Sequence, residues 1–391
     1  MKNLNVNLAG VTFKNPIMAS AGTPTINLHG MEKCIEAGVG AVCTKSISFQ
    51  PFSWSLPRPA NLFLDKFGDP GSIVTIELGF WQPEVGVKFV KEIKSVAAGE
   101  NVRVIANIAV EEFETEKLKE LAKRLQDSGA DMIEAACPCP ILIPIEIADK
   151  WYQENLSRVI EILKKAVEIP VYPKLFADVL NKENINRIEG AGADAIHITP
   201  PPHGITVDIY NGKPVIPIHG LYYNRGWRGI GSYWTYLISK MAKIPVISSG
   251  GVFTGRDAIE RLMLGASLVG VCTCVIYHGY GRITKIIKEI NHFMGEKPYE
   301  NIEEITGIAS SYVGNIEEFG KLIAQRQVPK EALTICVDSE KCTGCGKCTV
   351  CTYGAIDMEH RIPRIDLARC ERCGVCESIC PEDAITIGKS A

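Results

Sequence analysis

The chain has 391 residues and a net charge of −3, with 46% hydrophobic and 22% charged residues. This composition is typical of a folded globular protein, and the lack of a Lys- and Arg-rich run argues against nucleic acid or an acidic membrane as a partner. The apolar stretches are too short to span a bilayer, and we see no signal peptide. Because the 15 cysteines do not belong to a short secreted chain, we expect reduced thiols and a cytoplasmic location.

Short runs rich in β-branched residues recur along most of the chain, separated by helical stretches that end in Gly. The phrases EAGVGAVCTK, DSGADMIEAAC, GAGADAIHIT and LGASLVGVCT share one pattern, in which Gly ends a helix and a buried parallel strand follows. Eight strand–helix units predict a (β/α)8 TIM barrel, with a doubly wound sheet as the alternative. The runs are Pro16–Ser20, Ala41–Ser46, Arg103–Ala109, Asp131–Cys137, Pro170–Leu175, Ala195–Thr199, Pro245–Gly250 and Leu268–Thr273.

The ends of these strands supply candidate anion contacts. Gly250 and Gly251 follow the seventh strand and Thr273 ends the eighth. Barrels often bind phosphate there because glycines expose backbone N–H groups, although turns also need glycine. Lys45 and Lys174 end the second and fifth strands. A Lys in a barrel mouth is costly unless it meets an anion, and the alternative is an exposed side chain at a strand end.

The tail contains two copies of a cysteine run. The second copy, from Cys370 to Pro381, is the C-x2-C-x2-C-x3-C-P run of two-cluster ferredoxins, whose fourth Cys ligates the other cluster. The first copy has one residue fewer before its last Cys and Thr352 in place of Pro. We expect two [4Fe–4S] clusters, with two zinc sites as the alternative. One cluster is assigned Cys342, Cys345, Cys348 and Cys380, and the other Cys351, Cys370, Cys373 and Cys376.

Several segments of the chain resemble one known family. NPIMASAG, CTKSIS, the Cys-Pro after the fourth strand, PVYPKL, SSGGV and VCTC are similar to the dihydroorotate dehydrogenases, whose barrels bind flavin mononucleotide (FMN). The tail narrows the resemblance to the dihydropyrimidine dehydrogenases and their two-subunit bacterial relatives. We accordingly place an FMN barrel at residues 1–325, a linker at 326–334 and a two-cluster ferredoxin domain at 335–391. The resemblance also implies a homo- or hetero-oligomer.

The resemblance implies roles for individual residues. Lys174 would lie near flavin N1 and O2 and stabilise the reduced flavin. Cys137 would be the catalytic acid/base that exchanges a proton with one substrate carbon while hydride passes between the flavin and the adjacent carbon. The implied FMN contacts are Ser20, Ala21, Gly22, Lys45, Ser46, Asn107, Lys174, Thr199, Gly229, Ser249, Gly250, Gly251, Cys272 and Thr273.

The departures from the family pattern concern the substrate pocket. Glu134 stands where the family has Asn, Thr75 replaces another Asn, and Pro200-Pro201 replaces Asn-Thr. Because a site built to hydrogen-bond one ligand discriminates against others, we expect the substrate to have changed. Glu134 is therefore a candidate catalytic residue, and its alternative is a core carboxylate paired with Lys174 or Lys45.

Four further residues are weaker candidates for the pocket. Cys139 is the second candidate proton donor, with a structural thiol as the alternative. His203 and His219 can be pocket residues or ordinary loop histidines, and Arg228 can contact the flavin phosphate or an anionic substrate.

Three functions are compatible with these sequence features. The first is an oxidoreductase that reduces or forms a C=C bond next to a carbonyl in a small molecule, with the physiological direction left open. No G-x-G-x-x-G fingerprint follows a strand, so we expect an electron-transfer partner, either an NAD(P)H/FAD subunit or a ferredoxin. The second is an electron-transfer subunit whose flavin relays electrons, and the third is a true dihydropyrimidine or dihydroorotate dehydrogenase subunit. A structural barrel without flavin would leave the lysines and the Gly-Gly loop unexplained.

Overall fold

The computed structural model of the chain describes residues 2–49, 61–63, 71–74, 80–110, 113–138, 145–199, 203–215, 220–314, 321 and 333–389. The chain divides into two compact units, Met1–Val313 and Gly314–Ala391. Most of the proposed linker at 326–334 lies outside the described residues, so the domain boundaries stay a prediction. Among the described helices, none has the length and apolar character needed to cross a membrane.

The first unit is a closed barrel of eight parallel strands, which confirms the predicted fold class. The strands of this unit are β1 (Val6–Leu8), β2 (Val11–Phe13), β3 (Ile17–Ala19), β4 (Ala41–Cys43), β5 (Asn61–Phe63), β6 (Gly71–Val74), β7 (Arg103–Ala109), β8 (Met132–Ala136), β9 (Val171–Phe176), β10 (Ile196–Thr199), β11 (His203–Gly204), β12 (Val207–Asp208), β13 (Lys213–Pro214), β14 (Gly220–Asn224), β15 (Val246–Ser249) and β16 (Ala266–Val271). The barrel strands run in the order β3-β4-β7-β8-β9-β10-β15-β16 and close on β3. All eight predicted runs contribute one strand each.

Helices cover the outside of the barrel, and their boundaries follow local capping signals. The helices are α1 (Leu28–Glu36), α2 (Pro83–Gly99), α3 (Thr115–Asp127), α4 (Ile145–Ala166), α5 (Lys182–Gly190), α6 (Trp227–Met241), α7 (Gly255–Met263), α8 (Thr273–His278) and α9 (Gly281–Glu296). Asn27 and Asn181 accept hydrogen bonds from backbone N–H groups in the first turns of α1 and α5, and Thr254 forms a capping box with Asp257 at the start of α7.

Short antiparallel pieces interrupt the barrel. The strands β11, β14, β6 and β5 form a four-stranded sheet in that order, and β12 pairs with β13. Sequence analysis did not predict this sheet, because its strands are short and come from segments far apart in the chain. It contributes Tyr223 to the pocket described below.

The second unit is built from two small antiparallel pairs. The strand β17 (Leu333–Val337) pairs with β20 (Ile385–Lys389), and β18 (Ile356–Glu359) pairs with β19 (Ile362–Ile365), while one short helix, α10, spans Val375–Ser378. Its small core includes Ile356, Ile385 and two of the cysteines. Since so few apolar residues are buried, bound metal is expected to add much of the stability of this unit.

Candidate functional site

A pocket of about 420 Å³ opens among residues at or just after the carboxyl ends of the barrel strands. This is the end of a barrel at which catalytic and binding groups collect. Nine of the predicted FMN contacts line the pocket, together with Tyr223, Val252 and Gly270. The nine are Ser20, Ala21, Lys174, Thr199, Ser249, Gly250, Gly251, Cys272 and Thr273.

The glycine loop after β15 forms one wall of the pocket. Gly250 and Gly251 have φ values of 89° and 73°, which side chains rarely adopt. A Cβ on Gly251 would lie 2.6 Å from the backbone nitrogen of Arg228, beside the start of α6. The loop and the helix can pack this closely because position 251 has no side chain, and the backbone N–H groups needed to bind a phosphate are thereby brought together.

The Arg261 side chain holds two carbonyl groups of this wall in place by hydrogen bonds. Its guanidinium is fully buried and donates to the carbonyl oxygens of Gly250 at 2.8 Å and Arg228 at 3.1 Å. It also donates to the hydroxyls of Thr235 and Ser248. Burial lowers the pKa of Arg261 to about 10, so the group stays charged at neutral pH. Sequence analysis missed Arg261, although an Arg at a core-facing position of the α7 pattern is a usable signal.

Arg228 lies close to two carboxylates of α7, and its predicted contact with the flavin phosphate or an anionic substrate stays a prediction. Its guanidinium lies 3.6 Å from a carboxylate oxygen of Asp257 and 3.7 Å from one of Glu260. Both partners belong to α7. Arg228 therefore helps to join the beginnings of α6 and α7, whereas its carbonyl oxygen is the part that faces Arg261.

The other five predicted FMN contacts are not among the described residues that line the pocket. A Cβ on Gly22 would lie 2.6 Å from the sulfur of Cys272, which places Gly22 against the pocket wall. Lys45 is buried, and the Ser46 carbonyl accepts a hydrogen bond from the Trp81 backbone. Gly229 is exposed in the first turn of α6. The fifth, Asn107, is fully buried inside the barrel.

A buried polar network lies inside the barrel with Glu134 at its centre. The Glu134 carboxylate is fully buried and accepts from Asn107 Nδ2 at 2.5 Å, while its other oxygen lies 2.5 Å from His197 Nδ1. Cys43 donates to it at 3.5 Å, and Lys174 Nζ lies 4.0 Å away. Four neighbouring strands thus direct polar groups to one carboxylate, which agrees with the interpretation of Glu134 as a core carboxylate near Lys174.

The network connects with the pocket through Ser249. The Ser249 hydroxyl lies 3.0 Å from His197 Nε2 and 3.2 Å from the carbonyl oxygen of Ile198. His197 is fully buried, and sequence analysis did not single it out because a lone His in an apolar strand is usually a core residue. The sequence feature that could have identified His197 is a second polar residue, Glu134, in another buried strand of the same barrel.

The ionisation states follow from burial and from the neighbouring groups. Burial alone would raise the pKa of Glu134, but the contacts with His197, Lys174 and Asn107 together outweigh it and lower the pKa to about 2. Burial lowers the pKa of His197, which Glu134 offsets in part. The lowered pKa of His197 favours a neutral imidazole at neutral pH, and its Nδ1 is then placed to donate to the Glu134 carboxylate.

Cys137 lies just after β8. It is 3% exposed, and its backbone N–H donates to the Lys174 carbonyl at 3.2 Å. The structure thus places Cys137 beside the strand that carries Lys174, while its catalytic role stays a prediction. Four further positions of interest lie outside what the structure describes, namely Thr75, Cys139, the Pro200–Pro201 segment and His219, and so does the side chain of His203.

The pocket residues fit a flavin nucleotide. The Ser20 hydroxyl is buried in the pocket wall and has no hydrogen-bond partner among the described residues, so it has a donor to offer a ligand. The glycine loop provides backbone N–H groups for a phosphate, and Lys174, from another strand of the barrel, provides a positive charge.

The eight cysteines of the tail surround two separate cavities, in the arrangement that the repeat predicts. Cys342, Cys345, Cys348 and Cys380 line a cavity of about 350 Å³. Cys351, Cys370, Cys373 and Cys376 line another of about 310 Å³. Each quartet takes its fourth thiol from the other repeat, even though Cys351 follows a shortened spacer.

The backbone of the two repeats is matched where it bends around the cavities. Gly346 and Gly374 both adopt left-handed φ values, 71° and 83°. Gly344 and Arg372 also correspond, at 68° and 55°, so Arg372 holds a conformation that favours glycine. Arg372 is held there by hydrogen bonds to the carbonyls of Leu333 and Cys370. These turns direct thiols and backbone N–H groups towards each cavity.

Comparisons with known proteins agree with both parts of this description. The family model "Dihydroorotate dehydrogenase" matches residues 3–294, and "4Fe-4S binding domain" matches residues 363–386. The catalytic subunit of dihydroorotate dehydrogenase B (NAD(+)) from Thermococcus kodakarensis is 30% identical over 78% of this chain and 98% of its own length. The NAD-dependent dihydropyrimidine dehydrogenase subunit PreA from Escherichia coli K12 is 25% identical over 99% of this chain and 96% of its own.

A solved structure shares the fold. The crystal structure of DHODH from Eimeria tenella in complex with ferulenol has a TM-score of 0.66 and 20% sequence identity, and the match covers 78% of this chain and 88% of that chain.

Proposed function

Because this chain belongs to the dihydroorotate dehydrogenase family, we propose that it reduces, or in reverse forms, a C=C bond next to a carbonyl in a small substrate that is not one of the usual pyrimidines. It is an FMN- and [4Fe–4S]-dependent oxidoreductase of the type that acts on CH–CH bonds. Bound FMN supplies hydride transfer, and the bound clusters supply one-electron transfer. The observation that carries the proposal is a pocket lined by nine predicted flavin contacts in a chain that also gathers two cysteine quartets.

The chain's own residues would divide the work between binding and proton transfer. The N–H groups of the Gly250–Gly251 loop would bind the flavin phosphate, with Arg261 holding the carbonyls turned away. Lys174 would place its positive charge against the flavin ring. Cys137 would hold the proton exchanged with the substrate carbon, since it follows the strand next to that of Lys174.

The state of Glu134 supports a changed substrate. In this position an Asn side chain could donate to a pyrimidine, but an ionised Glu134 is an acceptor and is already engaged by Asn107 and His197. It is fully buried, and its two oxygens are held by other side chains, so it offers a pyrimidine no donor. A pyrimidine would therefore lose a donor that such a site needs, and sites of this kind discriminate strongly.

We further propose that electrons are exchanged with a partner protein through the tail. The PreA relative is named as a subunit and as NAD-dependent. This chain has no dinucleotide fingerprint of its own after a strand. A partner that binds a nicotinamide nucleotide, or a small ferredoxin, would meet this need.

The test uses the full chain purified without oxygen. We would reduce it with dithionite, remove the excess, add uracil, thymine or orotate, and follow flavin and cluster absorbance. The expected result is no rapid reoxidation by any of the three, with FMN and about eight irons per chain. Rapid reoxidation by one of them would contradict the changed substrate and identify a pyrimidine dehydrogenase, whereas lack of FMN would contradict the proposed function itself.

A further inference from the structure

The buried network under the pocket places a negative charge beside the one lysine that the described pocket lining contains. Lys174 lines the pocket, and its Nζ lies 4.0 Å from Glu134 Oε1. The Glu134 side chain is fully buried, and the Lys174 side chain is only 17% exposed. Charges so shielded from water interact more strongly than exposed ions at the same distance. The effective charge of Lys174 on a pocket ligand therefore depends on Glu134.

The groups that face Glu134 are arranged to keep it ionised. Asn107 donates from β7, Cys43 from β4, and His197 Nδ1 from β10, so the carboxylate receives hydrogen bonds from three sides. A protonated carboxyl would need an acceptor, and these three partners offer donors. From β9, Lys174 adds a positive charge, and the pKa of the buried Tyr172 hydroxyl is raised, so Tyr172 stays neutral.

His197 contributes no charge of its own when its second nitrogen accepts from Ser249. The Ser249 hydroxyl has one proton, which it can donate to His197 Nε2 or to the Ile198 carbonyl. With Nδ1–H donating to Glu134, donation from Ser249 to Nε2 completes the hydrogen bonding of a neutral imidazole. The Glu134–His197 pair then carries one net negative charge.

We propose that Glu134 is a positioning residue whose buried charge offsets that of Lys174 and so holds the reduction potential of the flavin low. This inference rests on the proposed function, because it requires FMN in the pocket against Lys174. Reduction adds negative charge to a flavin, and an uncompensated Lys174 would favour that state. With Glu134 present, the positive field is weaker and transfer of hydride from flavin to substrate is easier.

The experiment is an anaerobic redox titration of the full chain, followed at the flavin absorbance band. Glu134→Gln keeps the size and the Asn107 contact but removes the charge, and we expect the flavin potential to shift to a more positive value. Glu116→Gln removes one charge from a side chain that is 82% exposed, and the potential should stay at the wild-type value. Lys174→Met should shift it in the negative direction, and Glu134→Asp, which keeps the charge, should restore it most of the way from the Gln variant.

If Glu134→Gln does not fold, a second variant tests whether the Glu134–His197 pair carries a net negative charge. His197→Gln replaces a neutral ring by a neutral amide, so we expect an unchanged flavin potential. A clear fall in His197→Gln would mean that the imidazole is cationic and that the pair has no net charge, which overturns the inference. An unchanged potential in Glu134→Gln, with FMN bound and the Lys174→Met shift present, would also overturn it while the proposed function stands. If the chain binds no FMN and Lys174→Met therefore has no effect to measure, the result would instead contradict the proposed function.

Discussion

Two thiols, those of Cys137 and Cys139, are candidates for the group that exchanges a proton with the substrate. Cys137 is buried immediately after β8, whereas Cys139 lies outside the described residues. We expect Cys137→Ala to lower the rate of substrate turnover roughly 10²–10⁴-fold, the usual contribution of a positioned acid/base. Electron transfer between dithionite-reduced clusters and flavin should be unchanged.

The control for this prediction is Cys34→Ala. Cys34 is also buried, but its thiol lies against the Pro24 carbonyl and it is not among the described pocket residues. Its replacement should leave turnover within about twofold. Full activity in Cys137→Ala would favour Cys139 as the donor, or the relay hypothesis in which the flavin passes electrons without substrate chemistry.

The Glu134–His197 pair should make the barrel sensitive to acid. The pKa of Glu134 is lowered from 4.5 to about 2, and burial lowers the pKa of His197 from 6.5. Both groups bind fewer protons in the folded chain than in the unfolded chain, so the stability they contribute is present above these ordinary values and is lost as pH falls below them. A tenfold difference in proton affinity between the folded and unfolded chains corresponds to about 1.4 kcal/mol.

The measurement is urea unfolding of the barrel, followed by tryptophan fluorescence between pH 7 and pH 4. We expect the free energy of unfolding of the wild type to fall more steeply with acidification than that of the Glu134→Gln/His197→Gln double variant. His292→Gln, which removes an exposed histidine, should follow the wild type. Parallel curves for the wild type and the double variant would contradict the assigned ionisation states.

The junction of the glycine loop with α6 allows a matched pair of variants. Gly251 and Gly279 share a φ of 73°, which Ala rarely adopts, so Ala strains the backbone at both positions. A Cβ at position 251 would meet the Arg228 backbone at 2.6 Å, whereas a Cβ at 279 has nothing within 4 Å. We expect Gly251→Ala to weaken FMN binding at least about tenfold, a cost of about 1.4 kcal/mol. Gly279→Ala should bind FMN nearly as the wild type does in a fluorescence titration, and equal losses would show that strain alone matters.

The elements also show what sequence patterns can and cannot predict. The eight barrel strands were predicted because short β-branched runs recur along the chain, and four of them follow a phrase in which a helix ends in Gly and a strand begins. His197 and Arg261 were missed because their roles come from partners distant in sequence, such as Glu134 and the Gly250 carbonyl. The sheet that contains β14 was missed for the same reason, since its strand pairs join residues far apart in the chain.

Each cysteine repeat contributes one thiol to the other repeat's cavity, and this exchange is testable by double substitution. Cys351→Ala should lower the iron content from about eight to about four per chain. Because Cys351 shares a cavity with Cys373, the Cys351→Ala/Cys373→Ala variant should also keep about four irons. Cys351→Ala/Cys345→Ala should lose both clusters, since Cys345 belongs to the other cavity.

Iron analysis and electron paramagnetic resonance of the dithionite-reduced protein provide the measurement. Cys336→Ala is the control, because Cys336 is exposed and stands outside both quartets, and it should keep about eight irons. The reverse result for the two double variants would mean that each repeat holds its own cluster. The same variants should lose reduction of the flavin by a partner protein while direct chemical reduction remains.

The exchanged thiols also determine the order in which a growing chain can complete its two cavities. Residues leave the ribosome in numerical order. The cavity whose first cysteine is Cys342 lacks its last cysteine until Cys380 is synthesised. The cavity whose first cysteine is Cys351 has all four cysteines once Cys376 is synthesised. The quartet whose first cysteine is synthesised earliest is thus the last to have all four of its cysteines. During synthesis three thiols of one site stay exposed until the other site has all of its own, so iron–sulfur delivery to this protein is expected to begin after translation of both repeats.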